Sequence, residues 1–219
     1  MAHPTPPFVI NDQTLPVLQA QLDRMRGMLY NYSAIFYRLI TLGVVVLIAM
    51  AAASMTDTLR GVAFLIPFFT IWVGTQSAYY LTYTIFARVY ATGIEKALNR
   101  HFGQDVLIAH RIEANYLYSL NEPQISTVQL RLKQTYIGFI TVQFFILSAF
   151  VIGLSAYRAW QLIPLVEADF PPIRFYFPAL ILWSLFHLVY LFWYFGTRSY
   201  QKRIMRVVGS GYGVNYDEA

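Results

Sequence analysis

The stretch Phe36-Tyr37-Arg38-Leu39-Ile40-Thr41-Leu42-Gly43-Val44-Val45-Val46-Leu47-Ile48-Ala49-Met50-Ala51-Ala52-Ala53-Ser54-Met55 decides the architecture. Its one charge, Arg38, sits at the entrance. About 20 such residues, rising about 1.5 Å each, cover a hydrocarbon core of about 30 Å. The run therefore reads as a membrane-spanning helix. Moving outward, 61–86, 136–160 and 175–195 meet the same requirement. The expected fold is all-α and polytopic: four transmembrane helices at 36–55, 61–86, 136–160 and 175–195, paired as hairpins 36–86 and 134–196.

Composition agrees with a bilayer. Of 219 residues, 57% are hydrophobic and 12% charged, and the mean hydropathy of +0.46 lies outside ordinary soluble usage. The 17% aromatic content includes 17 Tyr, whose apolar rings and polar tips suit a membrane–water interface. The absence of Cys excludes disulfides, thiolate metal sites and thiol catalysis. The first apolar run begins too far along the chain to be a signal peptide, and the sequon at Asn31 lies too near the membrane to be read as a glycan site.

Basic residues orient the chain, because cytoplasmic segments retain Lys and Arg. Arg24 and Arg26 precede the first span and Arg38 sits at its entrance; Arg88, Lys96, Arg100, Arg111, Arg131 and Lys133 lie between the second and third; Arg198, Lys202, Arg203 and Arg206 follow the fourth. Only Arg60, Arg158 and Arg174 fall on the opposite face. The expected topology has both termini inside, in an inner (plasma) membrane, with most of the extramembrane mass cytoplasmic.

The cytoplasmic parts read as helical extensions. An amphipathic helix within 1–35 starts at a Thr14 cap with Pro16 in its first turn. Leu15, Leu18, Leu22, Met25 and Leu29 then form a heptad stripe, the coiled-coil-like contact face for the central region of this chain or for another subunit. In the central helical region 87–133, the second helix continues to about His101 and stops at Gly103. Asp105 is expected to cap a helix over 106–120 with an apolar face of Val106, Ala109, Ile112, Tyr116 and Leu120. Ser126 to Gln129 has the pattern of a capping box for the helix leading into the third span. The basic tail 197–219 places Arg198, Lys202, Arg203 and Arg206 at an anionic leaflet, and its Gly209-Ser210-Gly211-Tyr212-Gly213 reads as flexible chain, since neither a phosphate loop nor an ion filter has the required flanks.

No catalytic constellation, metal cluster or cofactor motif is readable, so no catalytic, metal or cofactor residue is expected. His101 and His110 are expected to be solvated imidazoles. His187, the one ionisable residue deep within a span, is expected to bond Ser184 or a carbonyl, although a ligand role would also fit its position. Gln76, Thr82, Gln143, Ser148 and His187 are candidates for lining a polar path or for bonding between helices. Ala49/Ala53, Gly74/Ala78 and Ala149/Gly153 have the small-residue spacing of close helix contacts. Spans without Asp, Glu or Lys argue against carboxylate-coupled transport, and the diluted basic surface argues against nucleic acid.

The function expected is that of a non-enzymatic, homo-oligomeric effector, channel-like or membrane-perturbing, controlled through its cytoplasmic helices by a soluble protein partner. Small prokaryotic membrane effectors of defence or signalling systems have a similar build. The alternative is a non-catalytic accessory subunit of a larger membrane complex, with the aromatic fourth span against another chain.

Overall fold

The computed structural model describes residues 10–116, 136–193, 197 and 199–216. Among them the regular structure is helical: α1 (Thr14–Ser54), α2 (Ile66–Phe102), α3 (Ala109–Tyr116), α4 (Tyr136–Val166), α5 (Tyr176–Leu191) and α6 (Ser199–Tyr212), with 3₁₀ turns at Arg60–Phe64 and Pro171–Phe175. Among the described residues three stretches are long and apolar enough to cross a membrane: Thr14–Ser54, Ile146–Val166 and Pro171–Leu191. The expected span 61–86 is not one of the three. Helix α2 has the length, but Thr70, Thr75, Gln76, Ser77, Tyr79 and Tyr80 interrupt its apolar run.

Local chemistry explains the helix ends. Asn11, not Thr14, caps α1: its Oδ1 accepts from the backbone N–H groups of Gln13 and Thr14 at 3.0 and 2.9 Å, and Thr14 Oγ1 accepts the Asn11 N–H at 2.8 Å. This reciprocal arrangement satisfies amide groups that have no helical partner in a first turn. Helix α2 stops as expected, with Gly103 at φ +67°, a conformation that Gly adopts without a Cβ penalty.

The chain divides into two compact units, Met1–Ala34, Tyr80–Phe139 and Tyr194–Ala219 forming one and Ile35–Tyr79 with Ile140–Trp193 forming the other. In the first, Leu18, Ile94 and Leu98 make a buried core joined by Leu15, Leu22, Leu107 and Tyr212. Full burial of side chains this size contributes about 1.5–3 kcal/mol each. The heptad stripe is thus covered by the protein's own α2, with Met25 buried and Leu29 half-buried. Helix α6 lies on α2 through Val208, Ile85, Val89 and Tyr216. A Cβ on Gly93 would stand 2.3 Å from Val208 Cγ1 and 2.6 Å from the Tyr216 hydroxyl, so only Gly allows that approach.

The Gly209–Gly213 segment is therefore not flexible chain. Its first four residues end α6, Gly213 closes the helix at φ +63°, and the Tyr216 hydroxyl donates to the Val89 carbonyl at 2.7 Å. Tyr212 and Tyr216 supply the apolar anchorage that the glycines lack.

In the second unit the core joins the 3₁₀ turn before α2, the end of α4 and the start of α5 through Phe64, Ala159, Leu162, Tyr176 and Leu180. The tightest glycine contact here is Gly43, where a Cβ would lie 2.7 Å from Val73 Cγ1. Gly74 and Gly153 face open space instead of a neighbouring helix.

Candidate functional site

The site with the most developed polar chemistry lies in the first unit, at the side of the Leu18–Ile94–Leu98 core. Glu95, on the face of α2 that carries Ile94 and Leu98, is 2% exposed. One carboxylate oxygen accepts from the Arg26 guanidinium on α1; the other accepts the backbone N–H of His110 at 2.9 Å and its ring Nδ1–H at 3.0 Å. Because the acceptor is a carboxylate, Nδ1 must carry a proton. The second arm of the Arg26 guanidinium holds Glu113 on α3, whose other oxygen is buried and has no hydrogen-bond partner among the described residues. A planar guanidinium can serve two carboxylates at once, which an ammonium does less well. Burial alone would push the Glu95 carboxyl up; the hydrogen bonds from His110 and Arg26 outweigh it and hold the group below its ordinary range.

The chain between α2 and α3 is held by Asn99, whose Oδ1 accepts the Leu107 N–H at 2.8 Å while its Nδ2 donates to the Leu107 carbonyl at 2.7 Å. This clamp keeps residues 105–108 out of the helix and turns Leu107 inward. Asp105 accordingly pairs with Arg111 instead of capping a helix at residue 106, and α3 starts at Ala109. Val106 and Ile112, expected on an apolar face, are exposed, while His110, expected to be solvated, is buried against Glu95. His101 is exposed, as expected. A second polar contact fixes α6: the Tyr212 hydroxyl donates to Gln21 Oε1 at 3.0 Å and stands 3.0 Å from the Tyr90 hydroxyl. Burial and the bond to Tyr90 push the Tyr212 phenol up.

The other sequence-selected residues differ in burial. Thr82 is buried, Gln76 and Ser148 are half-buried and Gln143 is exposed. His187 is buried beside Trp183 and Phe186, and its Nδ1–H donates to the Trp183 carbonyl at 2.8 Å, the carbonyl bond expected of a structural imidazole. Lys202, Arg203 and Arg206 form the exposed face of α6; Arg198 lies outside the described residues, as do the Ser126–Gln129 pattern and residues 117–120. Several polar side chains of the apolar helices bond back to their own backbone: Thr70 to Ile66 at 2.8 Å, Ser77 to Val73 at 2.8 Å and Ser155 to Val151 at 2.7 Å. No group of His, Cys, Asp and Glu among the described residues could hold a metal ion.

Arg26, Glu95, His110 and Glu113 escape sequence reasoning because no local spacing joins them. The available signal was Glu95 itself, an acid placed beside the apolar Ile94 and Leu98 of the same helix face. Chemically, the cluster is a buried electrostatic tie between α1, α2 and α3. Comparison of the chain with protein-family models, curated proteins and solved structures finds no match, so its function must be argued from these residues.

Proposed function

We propose that the chain is a four-span membrane protein with both termini in the cytoplasm, in which the first unit controls a channel-like or membrane-perturbing activity of the second. The observation that carries this reading is the difference between the surfaces of the two units, since both bury polar as well as apolar side chains. In the second, an apolar core lies beneath exposed Leu42, Ile48, Phe150, Leu182 and Phe186, a surface suited to lipid. In the first, Leu18, Ile94 and Leu98 are buried and Lys202, Arg203 and Arg206 exposed, the ordinary pattern of a surface in water.

On this reading 61–86 supplies the fourth span. The hydroxyls of Thr70, Thr75 and Ser77 bond their own helix, so crossing leaves these three satisfied. The excess of basic residues in the first unit supports the inside orientation, and the exposed face of α6 would rest on anionic headgroups. Helices α1 and α2 contribute to both units, so a partner that opens the Arg26–Glu95–Glu113 tie would act on helices that continue into the spans. Assembly of several copies would supply the path that one bundle does not.

The absence of native Cys makes single-cysteine labelling free of background. Asp12→Cys and Ser210→Cys should react with an impermeant maleimide from the cytoplasmic face alone, and Asp57→Cys and Asp169→Cys from the other alone. Asp57→Cys reacting on the same face as Asp12→Cys would overturn the topology. Liposomes containing wild type or Arg26→Ala should release a trapped dye. Both remaining as tight as protein-free vesicles would overturn the activity.

The exposed aromatics of the fourth expected span, Phe186, Tyr190, Phe192 and Trp193, favour a second reading as an accessory subunit seated against another chain. Purification from native membranes with a stoichiometric second polypeptide would select it.

A further inference from the structure

Within the second unit a groove of about 380 Å³ runs between α1, α2 and α4, a volume in the range of small-molecule sites. Its wall on α1 extends from Ile40 to Met55, about 22 Å of helix. The hydroxyls of Ser54, Thr70 and Ser155 line it but are turned onto the carbonyls of Ala51, Ile66 and Val151 at 2.7, 2.8 and 2.7 Å. Ser148 is the other hydroxyl residue in its wall, and the rest of its length up to Arg158 presents hydrocarbon.

One cation breaks that pattern. Arg158 lines the groove and is exposed; its guanidinium donates to Gln161 Oε1 at 3.4 Å, and among the described residues no salt bridge involves it. Its level is fixed by the adjacent core, in which Ala159 and Leu162 pack with Ala63 and Phe64 at the start of the second hairpin arm. Arg158 thus stands at the end of the groove marked by Ala63, Ser54 and Met55. Leu147 lies about 16 Å further in along α4. A long apolar slot with a guanidinium at one end complements one molecule class in both shape and charge.

We infer that this groove binds an anionic phospholipid, its headgroup phosphate at Arg158 and one acyl chain along α1 and α4, an inference that rests on the membrane reading above. Arg158 pairs with the phosphate, the net negative headgroup charge, which a choline ammonium would cancel, supplies the selectivity, and the groove wall supplies the chain contact. A water-filled path through this groove is disfavoured by the same lining.

The test measures binding of dioleoyl phosphatidylglycerol and dioleoyl phosphatidylcholine to the detergent-purified full chain by native mass spectrometry. Wild type should bind the anionic lipid about fivefold more tightly, the weight of one interfacial basic residue. Arg158→Gln should remove the preference, and Arg174→Gln, whose residue does not line the groove, should keep it. Ala51→Phe, which fills the slot from an exposed position on α1, should weaken both lipids. The proposal is overturned if wild type shows no headgroup preference, if Arg158→Gln retains it, or if Ala51→Phe binds as wild type does. Release of the native protein from membranes by alkaline carbonate would instead sink the membrane reading; retention without a headgroup preference sinks the lipid site alone.

Discussion

Replacing Arg26 by Ala removes one guanidinium from between two carboxylates, and the consequence can be sized from burial. Glu95 is 2% exposed and cannot recover water, whereas Glu113 is 16% exposed and can partly do so. Breaking a buried pair by removing one partner costs about 3–5 kcal/mol. Arg26 is itself 24% exposed, and His110 still bonds Glu95, so the lower end applies: about 3 kcal/mol. At tenfold per about 1.4 kcal/mol, the α3 amides over Ala109–Tyr116 should exchange hydrogen roughly a hundredfold faster in nanodiscs, provided that exchange follows local opening. Glu113→Gln leaves the Arg26–Glu95 contact in place and should cost about 1 kcal/mol or less. Arg26→Lys should fall between the two, because an ammonium keeps the charge and loses the fork. Exchange in Arg26→Ala within threefold of wild type, or a larger effect from Glu113→Gln than from Arg26→Ala, would refute the tie as the element that holds α3.

Acid should loosen the same place. The Glu95 carboxyl is held below its ordinary value, so its stabilising contribution is full above about pH 4.3 and is lost as the pH falls through the lowered folded value. Exchange protection of α3, corrected for intrinsic rates, should be flat from about pH 7 to 5 and decline below about pH 4, with a shallower decline in Glu95→Gln; equal slopes would contradict this. Gly93→Ala puts a Cβ into Val208 and the Tyr216 hydroxyl and should cost about 1–3 kcal/mol, read as faster proteolysis within Ser199–Tyr212. His187→Leu loses a bond made within its own helix and should retain the wild-type elution profile and dye release; loss of release with the fold intact would assign His187 a functional role.

What the sequence revealed was whatever repeats within a few residues. The apolar run after Phe36 and the heptad from Leu15 are periodic, and both become α1; Gly103 is a one-residue stop signal, and it ends α2. Features settled by distant partners were hidden. Arg26 lies 69 positions from Glu95 and 87 from Glu113, and nothing near Arg26 distinguishes it from a solvated basic residue. The helix expected from residue 106 failed for the same reason, since the Asn99 clamp on Leu107 is invisible to periodicity. The glycine-rich end of α6 misled in the other direction: three glycines within five residues suggest flexible chain, but Gly209 tolerates the Val214 carbonyl at 2.8 Å from where its Cβ would be, and the tyrosines hold the segment down.

Helix α2 is where hydropathy and bonding disagree, and the disagreement has a physical origin. A summed transfer scale charges Thr70, Thr75 and Ser77 for leaving water, yet their hydroxyls already bond carbonyls four residues back at 2.8, 3.0 and 2.8 Å. Much of that cost is met inside the helix and recurs little on entering lipid. The same scale penalises Trp72, Tyr79, Tyr80 and Tyr83, whose rings are largely hydrocarbon and one of which, Tyr83, stacks on Tyr32 at 4.7 Å. Self-bonded hydroxyls and aromatic rings can therefore make a helix less apolar by summation than by the groups it presents. The same bonding commits the O–H donors of Thr70, Thr75 and Ser77 to their own helix while their lone pairs stay available, so an anion path in an assembly would need donors from elsewhere, whereas a cation path would not.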